Sequence, residues 1–275
     1  MRMIFIKLVG NLFNVISFVS VGFAAERAIH LFTRPRKKRL NEEQRDFLNT
    51  AFKEELMLDK IHIMTYRWLG QKDTILLLHG WESNASRWKK IIQNLNKKGH
   101  GVIAIDAPGH GYSGSKTFNA VLYADCINVV VKRFKPTILI AHSVGGMAAG
   151  IFINKYQVTS INKLVLLGAP SEFKDVFKRY TDMMGYNKRI LKKTRTLIME
   201  RFGREPEEFS TSKYLQSVDS KGLIIHDEDD DVIPYNDALT IKDSYKNSLL
   251  ITTKGLGHSL TDDSVSQHIY EFIEA

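Results

Sequence analysis

The stretch Ile138-Leu139-Ile140-Ala141-His142-Ser143-Val144-Gly145-Gly146 decides how the rest of the chain is read. A run of apolar, β-favouring residues ends at a serine, small residues (Ala141 and Gly145) stand two positions to either side, and a helical pattern follows. A strand that turns this sharply into a helix forces its central residue into a strained backbone conformation that only small neighbours permit, and it projects the serine hydroxyl outward. The segment therefore predicts a nucleophile elbow. Taken alone, a small-x-Ser-x-Gly string also fits a plain structural turn, so the surrounding chain must supply the context.

Working outward, short apolar runs recur at 61–66, 74–78, 102–105, 137–140, 163–167, 223–225 and 248–252. Most are apolar on both faces, as strands of a parallel sheet covered on each side must be. Helical patterns fall between them, at roughly 85–98, 119–134, 145–156, 235–245 and 262–273. The alternation predicts an α/β fold: a mostly parallel, doubly wound sheet with helices on both faces and its site at the carboxyl ends of the strands. Residues 41–56, with early acids and Phe47, Leu48, Ala51 and Phe52 at helical spacing, read as a surface helix. Between Pro170 and Lys221 no strand run occurs. A structureless loop of that length is unusual in a compact domain, so the segment reads as a small helical insertion, either a roof over the site or a solvated excursion.

The chain has 275 residues, 44% hydrophobic and 25% charged, which excludes disorder, collagen and a pure coiled coil. Its single cysteine, Cys126, cannot form an intramolecular disulfide or a cysteine-based zinc site and reads as a buried apolar filler. The formal charge is +9, from 39 basic and 30 acidic residues. Residues 1–39 hold eight of those basic residues against Glu26 alone, which leaves the other 236 with an excess of only +2. A nucleic-acid binder spreads its cations over the folded body, so no nucleic-acid partner is expected.

Residues 3–25 are long enough to span a bilayer. Yet Lys7, Gly10, Asn11, Asn14 and Ser17 recur at offsets of three and four and form one polar stripe on a helix, which favours an interfacial or packed helix. A cleaved signal peptide ending near Ala24-Ala25 is a third reading. The basic cluster from Arg34 to Arg39 argues against export, since such charge stays on the cytoplasmic side. The expectation is a cytoplasmic body, with residues 1–39 as a possible attachment to an anionic membrane surface.

A serine hydroxyl is a weak nucleophile and needs a base oriented by a carboxylate. Downstream, Leu223-Ile224-Ile225-His226-Asp227-Glu228-Asp229-Asp230-Asp231-Val232-Ile233-Pro234 places acids after a strand, and Thr253-Lys254-Gly255-Leu256-Gly257-His258 ends the last strand run with a glycine-flanked histidine. The acidic run lacks the alternating spacing and bidentate Glu of a calcium loop, so no metal is assigned. Gly109 and Gly111 hint at a phosphate loop that no lysine completes. In Leu76-Leu77-Leu78-His79-Gly80-Trp81 a small residue follows a strand, so the backbone amides of Trp81 and Val144 are candidate oxyanion donors.

The order Ser, acid, His and these strand-end positions resemble those of α/β-hydrolases of the serine hydrolase superfamily, esterase- and lipase-like, over residues 60 to 275. The loop Asp106-Ala107-Pro108-Gly109-His110-Gly111-Tyr112-Ser113-Gly114 is similar to the family's Asp-x-Pro-Gly-x-Gly-x-Ser turn. Two departures are Ala141, where glycine is usual in the elbow, and Asp227, where the family often has glycine. The family's acid precedes a proline by four positions, so the resemblance implies a triad of Ser143, Asp230 and His258, with Asp229 the nearest rival as acid. The expected organisation is a helical, basic arm over 1–59, a catalytic domain over 60–275 and a helical cap at about 171–220.

The expected activity is cleavage of a carboxylic ester or related acyl bond of a small molecule, without a cofactor. Thioester, amide, C–C and perhydrolase chemistry use the same triad, and a non-catalytic ligand-binding role is the alternative from another class. Candidate substrate contacts are His79, His142, Phe173, Phe177 and Tyr180. The competing reading makes His79, His110 and His142 shapers of tight turns and the aromatics plain packing. Oligomeric state is left open.

Overall fold

A computed structural model describes the backbone of residues 2–36 and 40–275, with side chains described from residue 4 onward. Lys37, Lys38 and Arg39 of the basic cluster, and the side chain of Arg2, lie outside the described residues. The chain packs as two compact units, one of Pro35–Ser171 with Thr211–Ala275 and one of Met1–Arg34 with Glu172–Ser210.

The first unit holds an eight-stranded sheet: β1 (Phe52–Leu58), β2 (Ile61–Trp68), β3 (Thr74–Leu78), β4 (Gly101–Ile105), β5 (Ile138–His142), β6 (Lys163–Leu167), β7 (Lys221–Asp227) and β8 (Ser248–Thr253). Their order is β1-β2-β4-β3-β5-β6-β7-β8, antiparallel across β1-β2 and β2-β4 and parallel elsewhere. Strands β3, β4 and β5 are buried on both faces almost throughout, which is why they read as unbroken apolar runs. From β4 and β3 the chain crosses to β5 on the other side of β3, and this reversal opens a crevice at the carboxyl ends of the strands. The connecting helices are α3 (Glu42–Leu48), α4 (Lys89–Lys97), α5 (Ala120–Phe134), α6 (Val144–Tyr156), α9 (Thr211–Leu215), α10 (Asn236–Ser244) and α11 (Asp263–Glu274). Cys126 is buried in α5, where burial pushes its thiol up to about 12.

The sheet begins earlier than the expected boundary near residue 60. The helix expected over 41–56 stops at Leu48, and residues 52–58 form β1 instead. Asn41 and Gln44 make a capping box that starts α3, and the buried Phe47 and Leu48 are its core anchors. From Phe52 every residue pairs with β2, through to Leu58 opposite Ile61, and Phe52 stays exposed. Edge pairing through a tight turn at Asp59, whose φ is +51°, overrides the helical propensity of Lys53, Glu54 and Glu55.

The second unit is helical. It contains α1 (Arg2–Val19), α2 (Val21–Thr33), α7 (Phe173–Met184) and α8 (Lys188–Phe202). Ser20 separates α1 from α2 and accepts a hydrogen bond from the Phe23 amide as the cap of α2. Ala24 and Ala28 of α2 pack with Met184, Tyr186 and Ile190, and Ile6, Val9, Phe13 and Ile16 of α1 add to this core. No helix among the described residues is long and apolar enough to cross a membrane.

Candidate active site

The site is built on the ends of β5, β7 and β8. Ser143 stands between β5 and α6 with φ +55° and ψ −130°, the strained geometry that the sequence around it predicts. Its neighbours are small because the turn leaves no room. A side chain on Gly145 would lie 2.7 Å from the Leu78 carbonyl oxygen and 2.8 Å from that of His79. One on Gly146 would lie 2.6 Å from the Ala169 Cβ. The Ser143 amide donates to the Leu167 carbonyl at 2.8 Å, which fixes the turn against β6.

His258 lies in a short helical turn after β8, and its Nε2 is 2.9 Å from the Ser143 Oγ. Its Nδ1 is 2.7 Å from Oδ2 of Asp230. An ionised carboxylate only accepts, so Nδ1 carries the proton and Nε2 is left to accept from the serine hydroxyl. Asp230 is buried, whereas its rival Asp229 is exposed and directs its amide to Asp227. Oδ1 of Asp230 accepts from the amides of Val232 and Ile233, both at 2.9 Å. Burial alone raises the carboxyl's pKa, but hydrogen bonds from His226, His258 and the Ile233 amide outweigh it and hold the group well below the ordinary carboxylate range.

Two residues that sequence reasoning passed over brace this arrangement. His226, wholly buried at the end of β7, directs Nε2 to the Ile233 carbonyl at 2.8 Å and to Oδ2 of Asp230 at 3.2 Å. Asp227, read from sequence only as a departure, accepts four hydrogen bonds. They come from the Asp229 amide (3.0 Å), the Thr253 hydroxyl (2.7 Å) and the amides of Leu256 and Gly257 (both 3.0 Å). It ties the acid-bearing loop to the histidine-bearing loop. Burial pushes its carboxyl up, and these donors together pull it below the usual range. The only sequence signal for either residue is a polar side chain at the end of an otherwise apolar strand.

Further contacts hold the histidine loop from the other side. His142 Nε2 donates to the carbonyl of His258 at 2.8 Å, and Arg87 donates to the carbonyl of Ser259 at 2.9 Å. Burial keeps His142 neutral, with its pKa well below the ordinary histidine value. His142 therefore supports the loop that carries His258 instead of presenting a charge to substrate. His79 departs further from its candidate role as a substrate contact. It is wholly buried, its Nδ1 meets the Gly80 carbonyl at 2.7 Å and its Nε2 accepts from the Ala107 amide at 2.9 Å, so neither nitrogen is available. His110 likewise engages the Pro108 carbonyl and accepts from the Glu82 amide.

The candidate oxyanion donors sit at the same end of the sheet. Val144 opens α6, so its amide is among those a helix leaves without an intrahelical partner. Trp81 follows Gly80, where a side chain would lie 2.8 Å from the Ser143 Cβ, so the backbone leaving β3 runs directly against the elbow. The loop after β4 is a brace. Asp106 accepts from the Tyr66 hydroxyl and from the amides of Ala85 and Tyr112, each at 2.9 Å. A side chain on Gly111 would collide with that carboxylate.

Phe173, Phe177 and Tyr180 belong to the helical unit, where they surround Phe32 of α2 at ring separations of 6.2, 5.7 and 4.6 Å. The Tyr180 hydroxyl also donates to the Ala28 carbonyl. These rings pack the insertion onto the N-terminal helices, the role opposed in the sequence reading to that of an acyl pocket. Among the described residues no group of three or more His, Cys, Asp or Glu side chains is placed to hold a metal ion.

Comparison with known proteins matches residues 73–219 to a family described as the alpha/beta hydrolase fold. A non-heme haloperoxidase of Rhodococcus erythropolis is 24% identical over 261 residues, 76% of this chain and 95% of that protein. The chain spans about half the length of other curated relatives it matches, 42 to 56%. Among solved structures, an esterase from Exiguobacterium antarcticum superposes with a TM-score of 0.62 at 18% identity, over 79% of this chain and 97% of that one. A meta-cleavage product hydrolase from Pseudomonas fluorescens gives 0.62 at 17%, over 80% and 97%. At such identities the structural likeness is one of fold.

Proposed function

Since this chain belongs to the alpha/beta hydrolase family, we propose that it is a serine hydrolase that cleaves a carboxylic ester of a small molecule through an acyl-enzyme. The observation that carries the reading is the continuous hydrogen-bonded line from Ser143 through His258 to Asp230. In this reading Ser143 Oγ attacks the acyl carbon while His258 Nε2 takes its proton. Asp230, already held ionised, stabilises the imidazolium and keeps the proton on Nδ1. The amides of Trp81 and Val144 face the oxyanion, each such donor contributing about 3 to 4 kcal/mol to the transition state. His258 then protonates the departing alkoxide, and water, activated by the same base, releases the acid and restores Ser143.

The test is a panel of acyl esters of graded chain length, with thioester, amide and C–C substrates beside them, run on the native chain and on Ser143→Ala. Ester turnover and labelling of Ser143 by a fluorophosphonate, both lost in the variant, are the expected results. Ligand that persists unchanged with the native chain, without labelling, would overturn the reading in favour of a binding role.

A second reading rests on the haloperoxidase that aligns over 95% of its length. In it, hydrogen peroxide replaces water in the second step and the acyl group leaves as a peracid. Adding peroxide to the ester panel separates the two, since only the perhydrolase turns over to peracid.

A further inference from the structure

Helix α1 carries apolar residues on two sides. Ile6, Val9, Phe13 and Ile16 pack inward together with Gly10, Asn14 and Ser17 of the polar stripe, while Lys7 and Asn11 of that stripe are exposed. Asn14 donates to the Gly185 carbonyl at 2.8 Å and accepts from the Asn187 amide at 2.8 Å, and the Ser17 hydroxyl accepts from the Asn187 side chain at 2.9 Å. A side chain at Gly10 would run into the Met184 carbonyl, so α1 lies with its glycine directly on the end of α7. The other side carries Ile4, Phe5, Leu8, Leu12, Val15 and Phe18, spaced at three and four residues and each between 57 and 70% exposed. Scattered exposed apolar residues need no explanation, but a contiguous stripe over a whole helix marks an interaction surface.

Charge identifies what this stripe fits. The unit that contains α1 has 14 basic and 8 acidic residues, so it holds +6 of the chain's +9 in 73 of its 275 residues. Several of its acids are neutralised locally, Glu26 by Arg201, Asp182 by Lys178, and Glu205 and Glu207 by Arg195. Two exposed arginines of the unit are disposed differently, Arg189 beside the stripe and Arg27 on α2. Arg189 lies over the exposed Phe18 ring at 5.1 Å and Arg27 over the exposed Phe23 ring at 5.0 Å. Neither is joined to a carboxylate among the described residues, and Lys7 is exposed on α1 itself. Guanidinium groups at the rim of an apolar stripe are placed to meet anionic headgroups while the stripe enters the acyl boundary.

We propose that the outward face of α1, with Arg189 over its Phe18 and Arg27 exposed on the following helix, is a docking surface for an anionic lipid bilayer, on which the helix lies in the plane of the interface. This surface stands apart from the hydrolase reading and does not depend on it.

The experiment uses the full chain with vesicles of phosphatidylcholine alone or with about 30 mol% phosphatidylglycerol, a composition that carries a negative surface potential. The native chain should co-float with the anionic vesicles, with affinity at least about tenfold above that for neutral ones and falling as salt rises. The triple variant Leu8→Gln, Leu12→Gln, Val15→Gln changes only exposed positions. It should keep its circular dichroism spectrum and melting temperature while losing about tenfold or more in binding. Arg27→Glu with Arg189→Glu should abolish the preference for anionic vesicles. A native chain that stays free of both vesicle types, or a triple variant that binds as well as the native chain, overturns the proposal. So does self-association of the native chain that the triple variant reverses without any vesicle binding, which would assign the face to a second copy.

Discussion

Gly145 of the sheet unit and Gly10 of the helical unit both let a helix approach a carbonyl oxygen more closely than any side chain allows, yet the two approaches serve different ends. At Gly145 the contact presses α6 against the end of β3, where the polar groups of the unit converge on Ser143. The helix behind it is buried from Gly145 to Ile153, so its apolar surface is used up inside. At Gly10 the contact seats α1 on α7, Asn14 and Ser17 hydrogen-bond beside the inward Ile6, Val9, Phe13 and Ile16, and a second apolar side is left outward. Two apolar helices thus end in opposite settings. Apolar residues stand on both sides of α1, and the hydrogen bonds of Asn14 and Ser17 add to the packing of Ile6, Val9, Phe13 and Ile16 on the side that went in.

The comparison holds that polar convergence in the sheet unit makes chemistry, and the sharpest way to break it is Ser143→Ala. Ester turnover should fall by about four to six orders of magnitude with the circular dichroism spectrum unchanged. Next is Asp230→Asn, which should lower kcat by about ten-thousandfold, since the amide favours the wrong tautomer of His258. The same variant probes acid stability. Asp230 titrates below its unfolded value in the folded chain, so its contribution is complete above the ordinary carboxylate range and is lost as pH falls through the lower, folded pKa. Chemical denaturation between about pH 5 and pH 2 should show stability falling with acid in the native chain, and less steeply in Asp230→Asn.

A smaller effect is expected at Asp227. Replacing it by Ala frees the donors of Asp229, Thr253, Leu256 and Gly257 and lets the two loops drift. A displacement of His258 of about 1 Å lowers kcat by about a hundredfold. If kcat stays at the native value, the clamp is not what positions the histidine. Smallest is Gly10→Ala, which should cost about 1 to 3 kcal/mol in the helical unit through the forced contact with Met184. Hydrogen exchange should show faster exchange in α1 and α2, with α6 protected as before.

Much of the sheet unit was legible because its signals are local. Strands buried on both faces must be continuous apolar runs, and an elbow must carry small residues at fixed offsets, so β3 to β8 and Ser143 can be read from composition and spacing. Asp230 was legible only through the family resemblance, in which the acid stands four positions before a proline, since five consecutive acidic residues offer the same chemistry. Burial and the His258 contact distinguish it from Asp229. Strand β1 was misread because Lys-Glu-Glu favours a helix locally, and only pairing with β2 overrides that. Phe173, Phe177 and Tyr180 have the composition of a pocket wall, and their actual partner, Phe32, lies about 140 to 150 residues away in sequence.

What the sequence determined by itself is the α/β architecture, the elbow at Ser143 and the uneven distribution of charge. All three follow from periodicity, steric limits and counting. Tertiary structure decided which acid meets His258, what Asp227 and His226 brace, and which side of the first helix is buried. Those outcomes depend on partners far away in the chain. The helical pattern gives α1 two apolar sides, and the partners brought beside it by folding, Gly185 and Asn187 together with Met184, Tyr186 and Ile190, determine which of the two remains exposed.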